Sequence, residues 1–178
     1  GIILKYKGRP ADTRFFSTSY GYTADSSQVW SDSKKDFPGK KIEYLKALPQ
    51  FEGNEKTDIV NNFIKFMESP PHSCFDNRSP YFRWSVKMSG TELETSIRRS
   101  LYSMWRAQPS FVLTRDENGS YSSAQVPEDP GRLYNIKVLK RGDGANIMEL
   151  LIEMETGKYK ILKELNIRRI LKPVNLTK

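Results

Sequence analysis

The chain has 178 residues, with 29 Lys and Arg against 21 Asp and Glu, a net charge of +8, and one cysteine, Cys74. This length supports one domain, or one domain with an appendage, that buries about two thirds of its unfolded surface without help from a disulfide or a metal. The lone cysteine excludes an intrachain disulfide and a cysteine-rich zinc site, and no apolar run approaches the ~20 residues of a membrane span.

Ile2–Tyr6 and Ala11–Phe16 flank Lys7-Gly8-Arg9-Pro10 and predict a hairpin with a Gly/Pro turn. Residues 15–30 follow, reading FFSTSYGYTADSSQVW, a run of hydroxyl side chains closed by Trp30. A lysine-rich loop with Pro38 and Gly39 leads to a short strand over Tyr44–Leu48, stopped by Pro49. Thr57 is placed to cap a helix carrying Ile59, Val60, Phe63, Ile64 and Met67, which Pro70-Pro71 ends. Residues 69–80 read as loop. Phe82–Met88 alternates in the pattern of a half-buried strand.

Thr91-Glu92-Leu93-Glu94 reads as a capping box before a helix with Leu93, Ile97, Leu101, Met104 and Trp105 on one side. Phe111–Thr114 predicts a further strand, and residues 116–131 a loop or weak hairpin. Leu133–Leu139, Ile147–Met154 and Tyr159–Leu162 predict a three-strand meander turned by Arg141-Gly142-Asp143-Gly144 and Thr156-Gly157. Asn166–Leu171 reads as a short helix before Pro173. The Arg-Gly-Asp triplet is read as turn chemistry. Strands and helices interleave without βαβ regularity, so the class is α+β: β-rich, with antiparallel hairpins, a C-terminal meander over residues 131–178, and two to three helices.

The sequence contains no Gly-x-Ser-x-Gly elbow, phosphate loop, His-Glu-x-x-His or dinucleotide fingerprint. One histidine, His72, in a Pro-flanked loop argues against a Ser or Cys triad, and His72 with Cys74 cannot complete a metal site alone; neither a metal nor another cofactor is expected. Carboxylate chemistry would remain, but Glu43, Glu52, Glu55, Glu68, Glu92 and Glu94 all lack the apolar setting that raises a pKa, so no catalytic residue is assigned. The positive charge favours a polyanion such as nucleic acid, anionic lipid or a wall polymer. Lysines and arginines are scattered in short pairs such as Lys34-Lys35 and Arg98-Arg99, which disfavours nucleic acid. Hydroxyls beside flat rings are what a sugar asks of a groove, and Trp30, which ends the hydroxyl run, is placed equally to stack on a sugar ring or to anchor the loop. Trp105 is read as core, and Trp84 sits on a strand with either face available.

Phe16-Ser17-Thr18-Ser19-Tyr20-Gly21-Tyr22-Thr23, then Val29-Trp30, then Tyr44-Leu45-Lys46-Ala47-Leu48-Pro49, resembles the SpoIID/LytB family of sporulation proteins and amidase enhancers. Ser79-Pro80-Tyr81-Phe82-Arg83-Trp84, the segments Gly131–Arg141 and Glu149-Leu150, and Ile167-Arg168-Arg169-Ile170-Leu171 continue the resemblance in order. Three departures stand out: Tyr20 replaces the first glycine of the family's pair, Phe16 takes the usual histidine place, and Ala24 with Ser27 replace acids. The resemblance implies an extracytoplasmic protein acting on peptidoglycan glycan strands, either as part of a lytic transglycosylase or as a non-catalytic enhancer that recruits a wall amidase. It implies substrate contacts from Ser17, Thr18, Ser19, Tyr20, Gly21, Thr23, Trp30, Tyr44, Arg83 and Trp84. It places the family's helix with the catalytic glutamate upstream of Gly1, together with any export or membrane segment. On that view residues 1–178 are a partial SpoIID-like domain, and residues 50–80 are an insertion-like segment.

Overall fold

The structure is a computed structural model that describes residues 1–33, 35–53, 58–70 and 73–173. The expected class is present: among the described residues there are three α-helices, a two-stranded hairpin sheet and a five-stranded antiparallel sheet. The large sheet runs in the order β4 (Tyr121–Ser122), β3 (Val112–Arg115), β7 (Gly157–Leu162), β6 (Ile147–Met154), β5 (Leu133–Arg141). The predicted meander is β5, β6 and β7. Residues 116–131, read as a loop or weak hairpin, are loop except for the very short β4, which pairs back onto β3.

α2 (Gly90–Ala107) and α3 (Glu164–Ile170) pack on one another and on the sheet. Strand alternation puts Leu150 opposite Ile161, and Ile152 opposite Tyr159, in adjoining rows. With Val112, Met154 and Val126 these side chains meet Ile97, Leu101, Ile167 and Ile170 in the main core. Each fully buried Ile or Leu contributes about 1.5–3 kcal/mol relative to an exposed one, so this cluster dominates the stability of the C-terminal half. Ser96, buried on α2, donates to the carbonyls of Ile170 at 3.0 Å and Lys172 at 2.6 Å and fixes the end of α3 against α2.

The α2 start lies two residues earlier than the sequence predicts. Ser89 is the N-cap, and its box partner is Glu92, whose carboxylate takes the Ser89 amide at 2.8 Å. Glu94 instead reaches across to the Leu133 amide at 3.0 Å. Both Thr91-Glu94 and Ser89-Glu92 have the box spacing. The tie is broken by the extended backbone at Ser89, which only a residue outside the helix adopts.

Three predicted strands are corrected. The N-terminal hairpin is only β1 (Lys5–Tyr6) and β2 (Arg9–Pro10) about a two-residue Lys7-Gly8 turn with both φ values positive, so Ala11–Phe16 is not its second strand. Tyr44–Leu48 and Phe82–Met88 are irregular, with the alternating apolar residues left without a neighbouring strand; Val86 is exposed. α1 (Phe63–Glu68) is shorter than expected, and Ile59 and Val60 precede it in turns. The proposed Thr57 cap, His72, and Lys34 of the Lys34-Lys35 pair lie outside the described residues.

The described residues between 11 and 88 are therefore mostly loop, and a second, aromatic core holds them. Phe51, Ile59, Phe66, Cys74 and Phe82 are buried there, with Tyr20, Tyr22 and Phe63 packed around them and Ala145 reaching in from the β5–β6 turn. Segment 50–80 supplies most of that core.

Candidate functional site

The hydroxyl-rich loop sits on this aromatic core, and most of its hydroxyls point inward. Asp76 gathers the first turn. It accepts from Thr18 Oγ1 at 2.8 Å, from the Ser19 amide, and from Ser19 Oγ at 3.2 Å. Ser19 Oγ in turn accepts the Gly21 amide at 3.1 Å. Gly21 has φ +98°, and a Cβ there would lie 2.9 Å from Phe66 Cζ and 3.0 Å from Cys74 Sγ. That is the physical reason for a glycine in the motif: the backbone passes directly over two core side chains.

From Gly21 onward the loop runs along residues 45–50. The Gln50 amide donates to Gly21 O at 2.9 Å, the Thr23 amide to Leu48 O at 2.9 Å, and the Ser26 amide to Leu45 O at 3.0 Å. Thr23 Oγ1 donates to Lys46 O at 2.9 Å and accepts from the Leu48 amide at 2.8 Å. Asp25, buried, caps a 3-10 turn at Ser26–Gln28 through the amide and hydroxyl of Ser27 at 2.9 and 2.7 Å.

The Arg-Gly-Asp turn between β5 and β6 is the post on which this loop docks. The Asp143 amide donates to Gln28 Oε1 at 2.7 Å and Asn146 Nδ2 to Gln28 O at 3.1 Å. A Cβ on Gly144 would strike the Thr23 carbonyl oxygen and lie 3.0 Å from Ala24 Cα. Lys163, a non-glycine residue at φ +74°, reaches from the end of β7 to Ser31 Oγ at 2.8 Å. Burial pushes its ammonium below the usual lysine range, with Arg169 adding to the effect.

The sequence-predicted residues divide into three groups. Thr18, Ser19, Gly21 and Thr23 are bonded or packed inward, as described. Arg83 is likewise turned in: its guanidinium donates to the carbonyls of Tyr20 at 2.8 Å, Phe82 at 3.0 Å and Met67 at 3.3 Å, and lies 4.2 Å from the Phe82 ring centre. It satisfies carbonyls at the end of α1, a role suited to a cation at a helix C-terminus. Tyr20 packs edge-on against Phe63, and burial pushes its phenol up to about 12, against the opposing charges of Arg141 and Arg83.

The second group faces outward. Ser17 is exposed, Trp30 is 56% exposed with the Arg14 guanidinium 5.2 Å from its ring centre, and Trp84 is 69% exposed. Sequence reasoning passed over two neighbours of the same kind, Phe15 at 96% and Phe16 at 58% exposure. Adjacent aromatics are usually assigned to a core, and only the inward turn of the following hydroxyls shows that these are not.

Tyr44 forms the third group. Its hydroxyl accepts the Asp12 amide at 2.8 Å and its ring lies 4.7 Å from that of Tyr6, so it belongs with the N-terminal hairpin. Asp12 is two residues from Arg14, which brings Tyr44 and Trp30 to the same stretch of chain.

Among the described residues, no three of His, Cys, Asp and Glu could hold a metal ion. The carboxylates with shifted pKa, Glu43, Asp58, Glu92 and Asp129, are all lowered by hydrogen bonds, the reverse of what a general acid needs. Among the described residues no helix is long and apolar enough to cross a membrane.

The chain belongs to the DUF8618 family, a domain of unknown function, whose family model matches residues 24–177. The match begins just after the Phe16–Thr23 stretch. No curated protein and no solved structure matches the chain.

Proposed function

We propose that this chain is the glycan-binding wall of a SpoIID/LytB-type domain acting on peptidoglycan strands outside the cytoplasm. The observation that carries the proposal is the construction of the Phe16–Trp30 loop. The hydroxyls of Thr18, Ser19, Thr23 and Ser27 are spent on Asp76, the 45–50 backbone and Asp25, which rigidifies it, while Ser17, Phe16 and Trp30 are left facing solvent. A rigid loop presenting ring faces and a free hydroxyl, with a guanidinium over the indole, suits a chain of pyranose rings. The ordered landmarks from Phe16 to Leu171 supply the family reading. Substrate contact is assigned to Ser17 and Trp30, with Trp84 on a separate exposed stretch; Thr18, Ser19, Gly21, Thr23 and Arg83 position the loop.

The lowered carboxylates favour binding over acid catalysis by the described residues, so recruitment of a wall amidase to the strand is the second reading. The test is co-sedimentation with glycan strands from which an amidase has removed the stem peptides. Saturable retention is expected, reduced about tenfold by Trp30→Ala, which corresponds to ~1.4 kcal/mol. Failure of the strands to retain the protein, or full retention by Trp30→Ala with Trp84→Ala, rejects the proposal. An amidase whose cleavage rate rises with the protein present, without release of anhydro-muropeptides, would select the second reading.

A further inference from the structure

The N-terminal hairpin and the Tyr44 turn enclose an open cleft of about 510 Å3, lined by Tyr6, Lys7, Arg9, Pro10 and Tyr44. Its aromatic wall is held at several points. The Tyr6 and Tyr44 rings pack with centroids 4.7 Å apart, inclined at 50°. Tyr44 is pinned through its hydroxyl to the Asp12 amide, and the Tyr6 hydroxyl donates to the Glu43 carboxylate. Lys7 Nζ meets the same carboxylate at 2.8 Å, so Glu43 and Lys7 neutralise one another within the wall. Arg9 differs from Lys7. It is exposed, stands opposite Tyr6 in the hairpin register, and makes no ion pair among the described residues. The cleft thus combines two packed tyrosine rings, with Lys7 Nζ 5.2 Å from the Tyr6 ring centre, a neutralised pair, and one guanidinium with no ion pair among the described residues.

That combination narrows the ligand. An apolar molecule leaves the guanidinium without a counter-charge, and a small inorganic anion leaves the rings unused. A pyranose bearing a carboxylate uses both, with its C–H face on the tyrosines and its carboxylate on the fork of Arg9. We infer that this cleft is a subsite for a carboxylated sugar, held by Tyr6 and Tyr44 through the ring and by Arg9 through the acid. The acid could be the free lactyl group of a muramic acid or the carboxylate of a uronic acid. The muramic source rests on the peptidoglycan reading above, and the uronic source does not.

Calorimetric titration with four probes tests the inference: glycan strands stripped of stem peptides, the same strands methyl-esterified, hexagalacturonate, and chitohexaose. At least one free-acid probe is expected to bind tenfold or more tightly than the esterified strands and chitohexaose. Arg9→Ala should remove that preference without moving the melting temperature, and Lys137→Ala, which removes an exposed charge from β5, should leave it intact. Binding of hexagalacturonate without binding of stripped strands keeps the subsite and rejects the peptidoglycan reading. The inference is overturned if neither free acid is preferred, if Arg9→Ala keeps the preference, or if Lys137→Ala lowers it as much, which would make it bulk charge attraction.

Discussion

Gly21→Ala tests whether the loop is clamped to the aromatic core as its geometry requires. The substitution combines two costs. An L-residue at φ +98° is in the left-handed region, which costs about 1–2 kcal/mol. The new methyl would also stand 2.9 Å from Phe66 Cζ and 3.0 Å from Cys74 Sγ, and overpacking of this kind costs about 1–3 kcal/mol. Taken at about 3 kcal/mol in total, the loss lowers the melting temperature by roughly 6–12 °C for a chain of this size. Gly8→Ala is the control, because Gly8 has φ +78° but nothing within 4 Å of a Cβ. It carries the backbone cost alone, so the difference between the two variants isolates the steric part. Thermal unfolding followed by circular dichroism reads both. Adding Phe66→Leu to Gly21→Ala should give a total loss smaller than the sum of the two single losses, since shortening Phe66 vacates the methyl's position. Equal destabilisation by Gly21→Ala and Gly8→Ala, with strict additivity toward Phe66, would refute the clamp.

Two further outcomes follow from the same geometry. Gly144→Ala presses on the backbone of Thr23 and Ala24, which cannot rotate away, so a loss of about 2–3 kcal/mol is expected, with faster amide exchange at residues 23–28. Hydrogen bonds from Lys7 and then Tyr6 hold the Glu43 carboxyl below its ordinary value of 4.5. A carboxyl lowered by folding stabilises fully above its unfolded pKa and loses that contribution as pH falls through its folded one. The Tyr6–Lys7–Glu43 contacts are therefore expected to persist at neutral pH and to loosen with a midpoint below 4.5, read from the Tyr6 ring signals by NMR. A midpoint at or above 4.5 would contradict the arrangement.

The C-terminal half was legible because its main periods survive local breaks such as the buried Leu151 in β6 and the register shifts in β5. Ile97 and Leu101 fall at helical spacing, and Leu150, Ile152 and Met154 alternate, so burial followed pattern. The N-terminal half was not, for a physical reason. Its core is built from single aromatics on loops, such as Phe51, Phe66 and Phe82, and residues that meet only in three dimensions leave no period. Phe82–Met88 shows the converse error, since alternation there has no sheet to join. In the candidate site, the hydroxyl–aromatic composition was visible but its direction was not. The carboxylate that turns Thr18 and Ser19 inward is Asp76, more than fifty residues away, and no local pattern points to it. The same holds for Gln28 and the Arg-Gly-Asp turn, which read as ordinary turn chemistry and proves to be a docking post.

The most direct test of the central claim is NMR mapping on the protein with glycan strands stripped of stem peptides. Saturable shifts are predicted for the Trp30 indole and the Ser17 amide, with the Thr18 and Ser19 hydroxyl contacts to Asp76 undisturbed. Absence of shifts at Trp30 and Ser17, or equal shifts there with RNA of matched charge, would contradict the account.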